Sequence, residues 1–208
     1  MRLMMFFLLV GVANVVFVQH IRAQQGLAQQ EDALKVFVCG SSSPLHDLRR
    51  AKACIAVQAG EDLFLFDTGS GSGARLAFSG LPMHKLRGVL FTHFHSDHIS
   101  DVYNINLTSW ASGRKYSLPV YGPVGIDRVI AGMNEAYALD RSYRVAHHGE
   151  KILQPEHGLL VAKTVPAGPL YENGVFSITA VAVDHSPIEP AFGYRIDYAD
   201  RSVVISTR

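Results

Sequence analysis

The segment Phe91 to Ser100, FTHFHSDHIS, places His93, His95, Asp97 and His98 within six consecutive positions, directly after the apolar run GVLF. Four ligand-type side chains this close together constrain the local fold more than any other feature of the chain. On an extended backbone successive side chains alternate faces, so His93, His95 and Asp97 project to one side, and His98 joins them only if the chain bends there. A strand that ends in a turn, with a short helix beginning around Asp97, meets that condition. Neutral imidazole and carboxylate are ligands of first-row metals, and zinc takes nitrogen at about 2.0 to 2.1 Å while keeping an open position in catalytic sites. Two metals about 3.5 to 4 Å apart can together activate a nucleophile and polarise an ester. In a chain with ten histidines a chance cluster is the competing reading. The order H-x-H-x-D-H between an apolar strand and a helix favours the metal cradle.

Elsewhere, short β-branched or aromatic runs recur at 35–39, 54–59, 62–66, 88–91 and 118–121, separated by Gly, Ser and Pro clusters, and each reads as a strand. Between Gly125 and Tyr143, apolar residues at spacings of three and four predict an amphipathic helix. The stretch 141–165, with His147, His148 and His157 among polar residues, reads as a loop leading into a strand at 159–165. Three further strands are expected at 175–183, 192–197 and 202–205. This order gives an α+β fold in which sheet packs under helices.

The first residues, MRLMMFFLLVGVANVVFVQHIRAQQ, carry Arg2, an apolar stretch and small residues at Ala23 and Ala28. They read as an export signal over 1–23, with cleavage after 23 or 28, or else as a membrane anchor slightly shorter than a full span. Either places the following domain outside the cytoplasm, secreted or periplasmic. Cys39 and Cys54 close and open apolar runs. Two buried small side chains are the preferred reading, with a disulfide as the alternative in an oxidising compartment. Asn106, Leu107 and Thr108 form an N-x-T sequon, relevant only in a eukaryotic secretory pathway. Nineteen basic and eighteen acidic side chains leave a net charge of +1, which does not mark a dedicated nucleic-acid binder, although Arg49, Arg50 and Lys52 form a local basic group.

THFHSDHI resembles the defining motif of the metallo-β-lactamase fold superfamily. Four further stretches are similar to its ribonuclease Z-like branch: VFVCGSSSP at 36–44, FDTGSG at 66–71, VYGP at 120–123, and DHSPIEPAFGYRID from Asp184. The resemblance runs from about residue 35 to 208 and implies the αβ/βα sandwich of that superfamily. It implies that His93, His95 and His185 hold a first zinc, and that Asp97 and His98 serve a second, with Asp97 also orienting the attacking hydroxide. It makes Asp67 a carboxylate or turn-former behind the histidine loop; a plain turn aspartate is the alternative. Manganese or iron would suit the same donors.

The chain departs from the branch where RSVVIS is followed by Thr207 and Arg208 instead of Gly-Asp-Thr. The metal-bridging aspartate and a later histidine are therefore missing, the second site is incomplete, and the C-terminal part of the fold reads as truncated, leaving 202–205 as an open edge. The long RNA-gripping arm that many tRNA-processing members carry between the G-Y-R strand and the next is replaced here by DYAD, 197–200. The resemblance thus implies a metal-dependent hydrolase of phosphodiester or sulfate esters with a small-molecule substrate and, as in relatives, a homodimer. The alternatives are a tRNA 3′ processing endoribonuclease acting on nucleic acid, and a non-catalytic truncated remnant. His147 and His148 are read as bland loop residues.

Overall fold

The computed structural model describes residues 33–45 and 47–207, so the leader lies outside the described residues. Six strands form the first sheet in sequential order, β1 (Leu34–Gly40), β2 (Cys54–Ala59), β3 (Asp62–Phe66), β4 (Leu86–Leu90), β5 (Leu118–Gly122) and β6 (Leu160–Thr164). The first three strands pair antiparallel and the rest parallel. The second sheet is an antiparallel meander of β7 (Gly168–Asn173), β8 (Phe176–Val183), β9 (Ala191–Tyr198) and β10 (Arg201–Ile205).

β3 reads DLFLF and is buried at every position, because both of its faces are covered. Leu63 and Leu65 face helices and Phe64 and Phe66 face the second sheet. On the helical side lie α1 (Ser72–Ala77), α3 (Val102–Ala111) and α4 (Ile126–Ala136), whose Leu76, Val102, Ile105, Ile126 and Ile130 complete the first core. Between the sheets, Phe64 stacks on Phe176 at 5.5 Å, and Phe66 lies 5.4 Å from Tyr194. Aromatic pairs at such separations add roughly 0.5–1.5 kcal/mol each beyond area burial. Buried Asp62 ties the sheets at one end, accepting from Arg87 Nε at 2.7 Å, Asn173 Nδ2 at 3.0 Å and Tyr171 Oη at 3.2 Å. The layers are thus helix, sheet, sheet, as expected for this α+β sandwich. Among the described residues no helix belongs to either core on the far side of the second sheet, and β10 is an edge strand.

Several expectations need correction. The helix over 125–143 is two: α4 and α5 (Ala138–His148), broken at Tyr137, whose ring stacks on Tyr103 at 3.6 Å. Residues 141–148, read as loop, complete α5. Cys39 and Cys54 are not separate buried thiols but a disulfide, with Cα atoms 5.1 Å apart. β1 and β2 shift register between Val38 and Gly40, which carries Cys39 across to its partner. Asn106 of the sequon is buried at 1% exposure; its amide donates to the Gly158 carbonyl at 2.7 Å and accepts from Arg114 Nη2 at 2.5 Å. No glycan fits there. Among the described residues, no helix is long and apolar enough to cross a membrane.

Candidate metal centre

Strand β4 ends at Leu90, the chain bends at Thr92, and His95, with a ψ of 145°, is again extended. Helix α2 (Ser96–Ile99) starts one residue later, so helical rotation, not strand alternation, brings Asp97 and His98 into the site. Backbone bonds fix this bend. The Thr68 amide donates to the His98 carbonyl at 2.6 Å, the Asp101 amide donates to the Thr68 carbonyl at 2.7 Å, and the Phe192 amide of β9 donates to the Thr92 carbonyl at 2.9 Å. The last bond joins the histidine loop to the second sheet. His185 arrives from that sheet on the loop between β8 and β9.

The ligand-capable atoms of His93, His95 and His185 all lie within 4.8 Å of one another. His93 is central: its ring is 4.7 Å from that of His95, 4.6 Å from His185 and 4.1 Å from His98. His93 Nε2 sits 3.0 Å from His95 Nδ1. Tetrahedral zinc would separate such nitrogens by about 3.3 Å, given bonds of about 2.0 to 2.1 Å. The spacing therefore fits one ion.

Asp67 decides which nitrogens face the centre. Its Oδ1 accepts the Thr92 amide at 2.8 Å, while Oδ2 accepts the Thr92 hydroxyl at 2.9 Å and His98 Nδ1 at 2.7 Å. With its proton given to Asp67, the Thr92 oxygen is left to accept from His93 Nδ1 at 3.0 Å. Both His93 and His98 thus carry their proton on Nδ1 and present a bare Nε2, the form a metal requires. His98 Nε2 lies 3.7 Å from Asp97 Oδ2, a second pair of donors beside the first three. Asp67 itself holds φ at 57°, a left-handed turn that aspartate tolerates.

Burial lowers the His93 pKa to about 4, helped by the neighbouring imidazoles of His98, His185 and His95. His93 therefore stays neutral and available to a cation near pH 7. Burial likewise pushes His98 down, but the hydrogen bond and charge of Asp67, with the charge of Asp97, outweigh it and leave it raised. Asp67 is raised by burial, against the opposing pull of His98 and Thr92.

The centre opens into a cavity of about 710 Å³. Ser41, Ser42, Ser43 and Pro44 line it, as do Ile205, Ser206 and Thr207. The sequence expectations for His93, His95, Asp97, His98, His185 and Asp67 all converge here. Thr92 was not foreseen, and its only sequence signal is adjacency to His93. His147 and His148 sit exposed in the last turn of α5, on a helix rather than in the expected loop, and do not line this cavity.

A helix-backed β-sandwich with a histidine cluster at its strand ends is a scaffold that can hold a metal ion. Residues 49–171 match the Metallo-beta-lactamase superfamily, and the chain belongs to that family, whose fold implies divalent metal binding. Among curated relatives it is similar to Ribonuclease Z of Mycobacterium sp. (strain KMS), 33% identical over 175 residues that cover 83% of this chain and 60% of the relative. It is also similar to Ribonuclease Z of Mycobacterium avium (strain 104), 34% identical over 176 residues, covering 83% and 62%. The chain spans about 60% of the length of these relatives. Human tRNase Z, short form, shares the fold at a TM-score of 0.62 and 18% identity, over 83% of this chain and 68% of that one. The metallo-beta-lactamase fold protein YhfI from Bacillus subtilis does so at 0.60 and 23%, over 82% and 61%.

Proposed function

We propose that this chain is a metal-dependent hydrolase of phosphodiester or sulfate esters, with His93, His95 and His185 as ligands of one zinc and Asp97 and His98 as ligands of a second cation. The observation that carries this reading is the convergence of three imidazoles from two different sheets, with two of the five donors oriented through Asp67. Three nitrogen donors with an open position suit zinc before manganese or iron. Bound there, a divalent cation supplies Lewis-acid polarisation of an ester oxygen and activation of water near neutral pH. The chain's own residues do the rest. Asp97, buried beside His98, is placed to accept a proton from the attacking water, and Asp67 keeps His93 and His98 in the tautomer that binds.

Relatives named Ribonuclease Z favour RNA as substrate. The turn between β9 and β10 favours a smaller ester, because only Ala199 and Asp200 join those strands and no RNA-gripping arm stands there. The Cys39–Cys54 disulfide supports the reading that the domain works in an oxidising compartment, as the export signal implies.

The test is turnover of bis(p-nitrophenyl) phosphate, p-nitrophenyl sulfate and a precursor tRNA by the zinc-loaded protein. Phosphodiester turnover that disappears on chelation and in His185→Ala supports the proposal. Cleavage of precursor tRNA alone would replace it with the RNA reading, and stoichiometric zinc without turnover of any substrate would leave a binding remnant.

A further inference from the structure

Strands β1, β2 and β3 place three apolar side chains in line, with Val38 directly opposite Ile55 and Ile55 directly opposite Phe66. Side chains at paired positions share one face of a sheet. All three line the cavity of the metal centre. The row starts at the centre itself, because Phe66 is followed by Asp67, whose Oδ2 accepts His98 Nδ1 at 2.7 Å. It ends at β1, the outermost strand of its sheet among the described residues. With neighbouring strands about 4.7 to 4.9 Å apart, Phe66 to Val38 is roughly 10 Å, the reach of an alkyl chain of about six to eight carbons.

Exposure rises along the row: Phe66 is buried at 1%, Ile55 is half-buried and Val38 is 58% exposed. Ile205 of β10 lines the same cavity and, like Ile55, packs partly buried against the core between the sheets. A single exposed valine is ordinary. This one continues a row that begins at the metal donors, and covering it would take apolar surface out of water. The Phe66 ring is buried and lies 5.4 Å from that of Tyr194, so the accessible part of the row is aliphatic. It offers no aromatic face on which a nucleobase would stack.

We infer that this row seats an aliphatic arm of the ester cleaved at the centre, so that the substrate class is an alkyl phosphate or sulfate ester. An apolar wall beside a few convergent polar groups is the usual make-up of a small-molecule site. The inference rests on the hydrolytic reading of the same centre and names the substrate it takes.

Two readouts test it on the full zinc-loaded chain. Hexylphosphonate and methylphosphonate are titrated calorimetrically, and hexyl p-nitrophenyl phosphate is compared with methyl p-nitrophenyl phosphate in kcat/KM. A fully buried methylene is worth about fourfold, so five of them on an open-sided row should favour each hexyl probe by about fivefold or more. Val38→Ser should cut that preference at least threefold, with Val38→Thr in its place if circular dichroism shows the serine variant misfolded. Val36→Ser, on the same exposed face of β1 but outside the cavity, should leave the preference within twofold of wild type. A smaller hexyl preference, a preference that survives at Val38, an equal loss in Val36→Ser, or a higher kcat/KM for thymidine 5′-(p-nitrophenyl phosphate) than for the hexyl ester overturns the inference. Preferential hexylphosphonate binding without turnover of any ester would uphold the row and overturn the hydrolytic reading alone; turnover of both esters without preference would overturn the row alone.

Discussion

Replacing Asp67 by asparagine isolates one property of the metal centre, the direction of its hydrogen bonds. Asparagine has nearly the same shape and, like aspartate, tolerates the left-handed φ of 57° found there. The Thr92 amide can only donate, so the new side chain must keep its oxygen where Oδ1 now accepts that amide at 2.8 Å. Its NH₂ group then occupies the Oδ2 position, facing the Thr92 hydroxyl and His98 Nδ1, which now lie at 2.9 and 2.7 Å. Two donors meet two donors. Relief requires His98 to move its proton to Nε2, and the Thr92 hydroxyl to turn its own proton toward His93 Nδ1, with the same consequence for that ring. Both nitrogens that should bind metal would then carry hydrogen. Loss of such an outer partner costs about 10- to 100-fold in metal affinity, or about 1.4 to 2.8 kcal/mol. Zinc competition against a chromophoric chelator measures the affinity, and nitrogen-15 spectra of the imidazoles report the tautomers. Affinity within twofold of wild type, with both rings still protonated on Nδ1, would refute the orienting role.

Other perturbations read different links. The Cys39–Cys54 disulfide closes a separation of 15 residues, for which the chain-entropy account gives about 3 kcal/mol. The Cys39→Ser/Cys54→Ser protein should unfold at about 1 to 3 M less urea than the oxidised chain, and coincident curves would contradict this. In Gly69→Ala the new Cβ would lie 2.0 Å from the Asp97 carbonyl oxygen and 2.9 Å from the Ala53 amide nitrogen. Backbone on both sides cannot yield cheaply, so zinc affinity and thermal midpoint should fall together; an unchanged affinity would separate Gly69 from the centre. Asn106→Leu removes an acceptor from Arg114, a guanidinium at 1% exposure whose remaining partners are Ser109 Oγ and the Tyr116 carbonyl. A cost of about 1.5 to 3 kcal/mol is expected from urea unfolding, and wild-type protein made in a eukaryotic secretory host should show no glycan by mass.

The sequence revealed the metal centre best where its chemistry is local. His93, His95, Asp97 and His98 lie within six residues, between a strand that ends at Leu90 and a helix that starts at Ser96, so their types and order were enough. The mechanism of their convergence was not legible. Strand alternation was expected to carry Asp97 into the site, whereas a helix beginning at Ser96 does so. Apolar spacing ran on past residue 136 without marking the break at Tyr137, because that break is stabilised by a ring stack on Tyr103 of another helix. Residues 141–148 resembled a loop since their helix buries nothing fully. β7, GPLYEN, carries the turn residues Gly, Pro and Asn, yet it pairs with β8 and places Tyr171 against Phe64 at 4.9 Å. The break at Tyr137 and the strand at 168–173 are cases of tertiary packing overriding local pattern.

The same distinction explains why the centre depends on the whole sandwich. His93 and His95 ride on the first sheet and His185 on the second, so the spacing of their nitrogens is set by how the sheets are held together. Two bonds fasten them beside the centre: the Phe192 amide on the Thr92 carbonyl at 2.9 Å, and the Tyr194 hydroxyl on the Phe91 carbonyl at 2.7 Å. Tyr194 is fully buried, and its hydroxyl has that carbonyl as acceptor. Its removal in Tyr194→Phe alters no histidine and none of the histidines' hydrogen-bonding side chains, and acts only on the joint between sheets. A centre assembled only by local sequence would not sense this change. One assembled across two sheets should hold zinc less tightly, with the His93–His95 pair intact and His185 displaced.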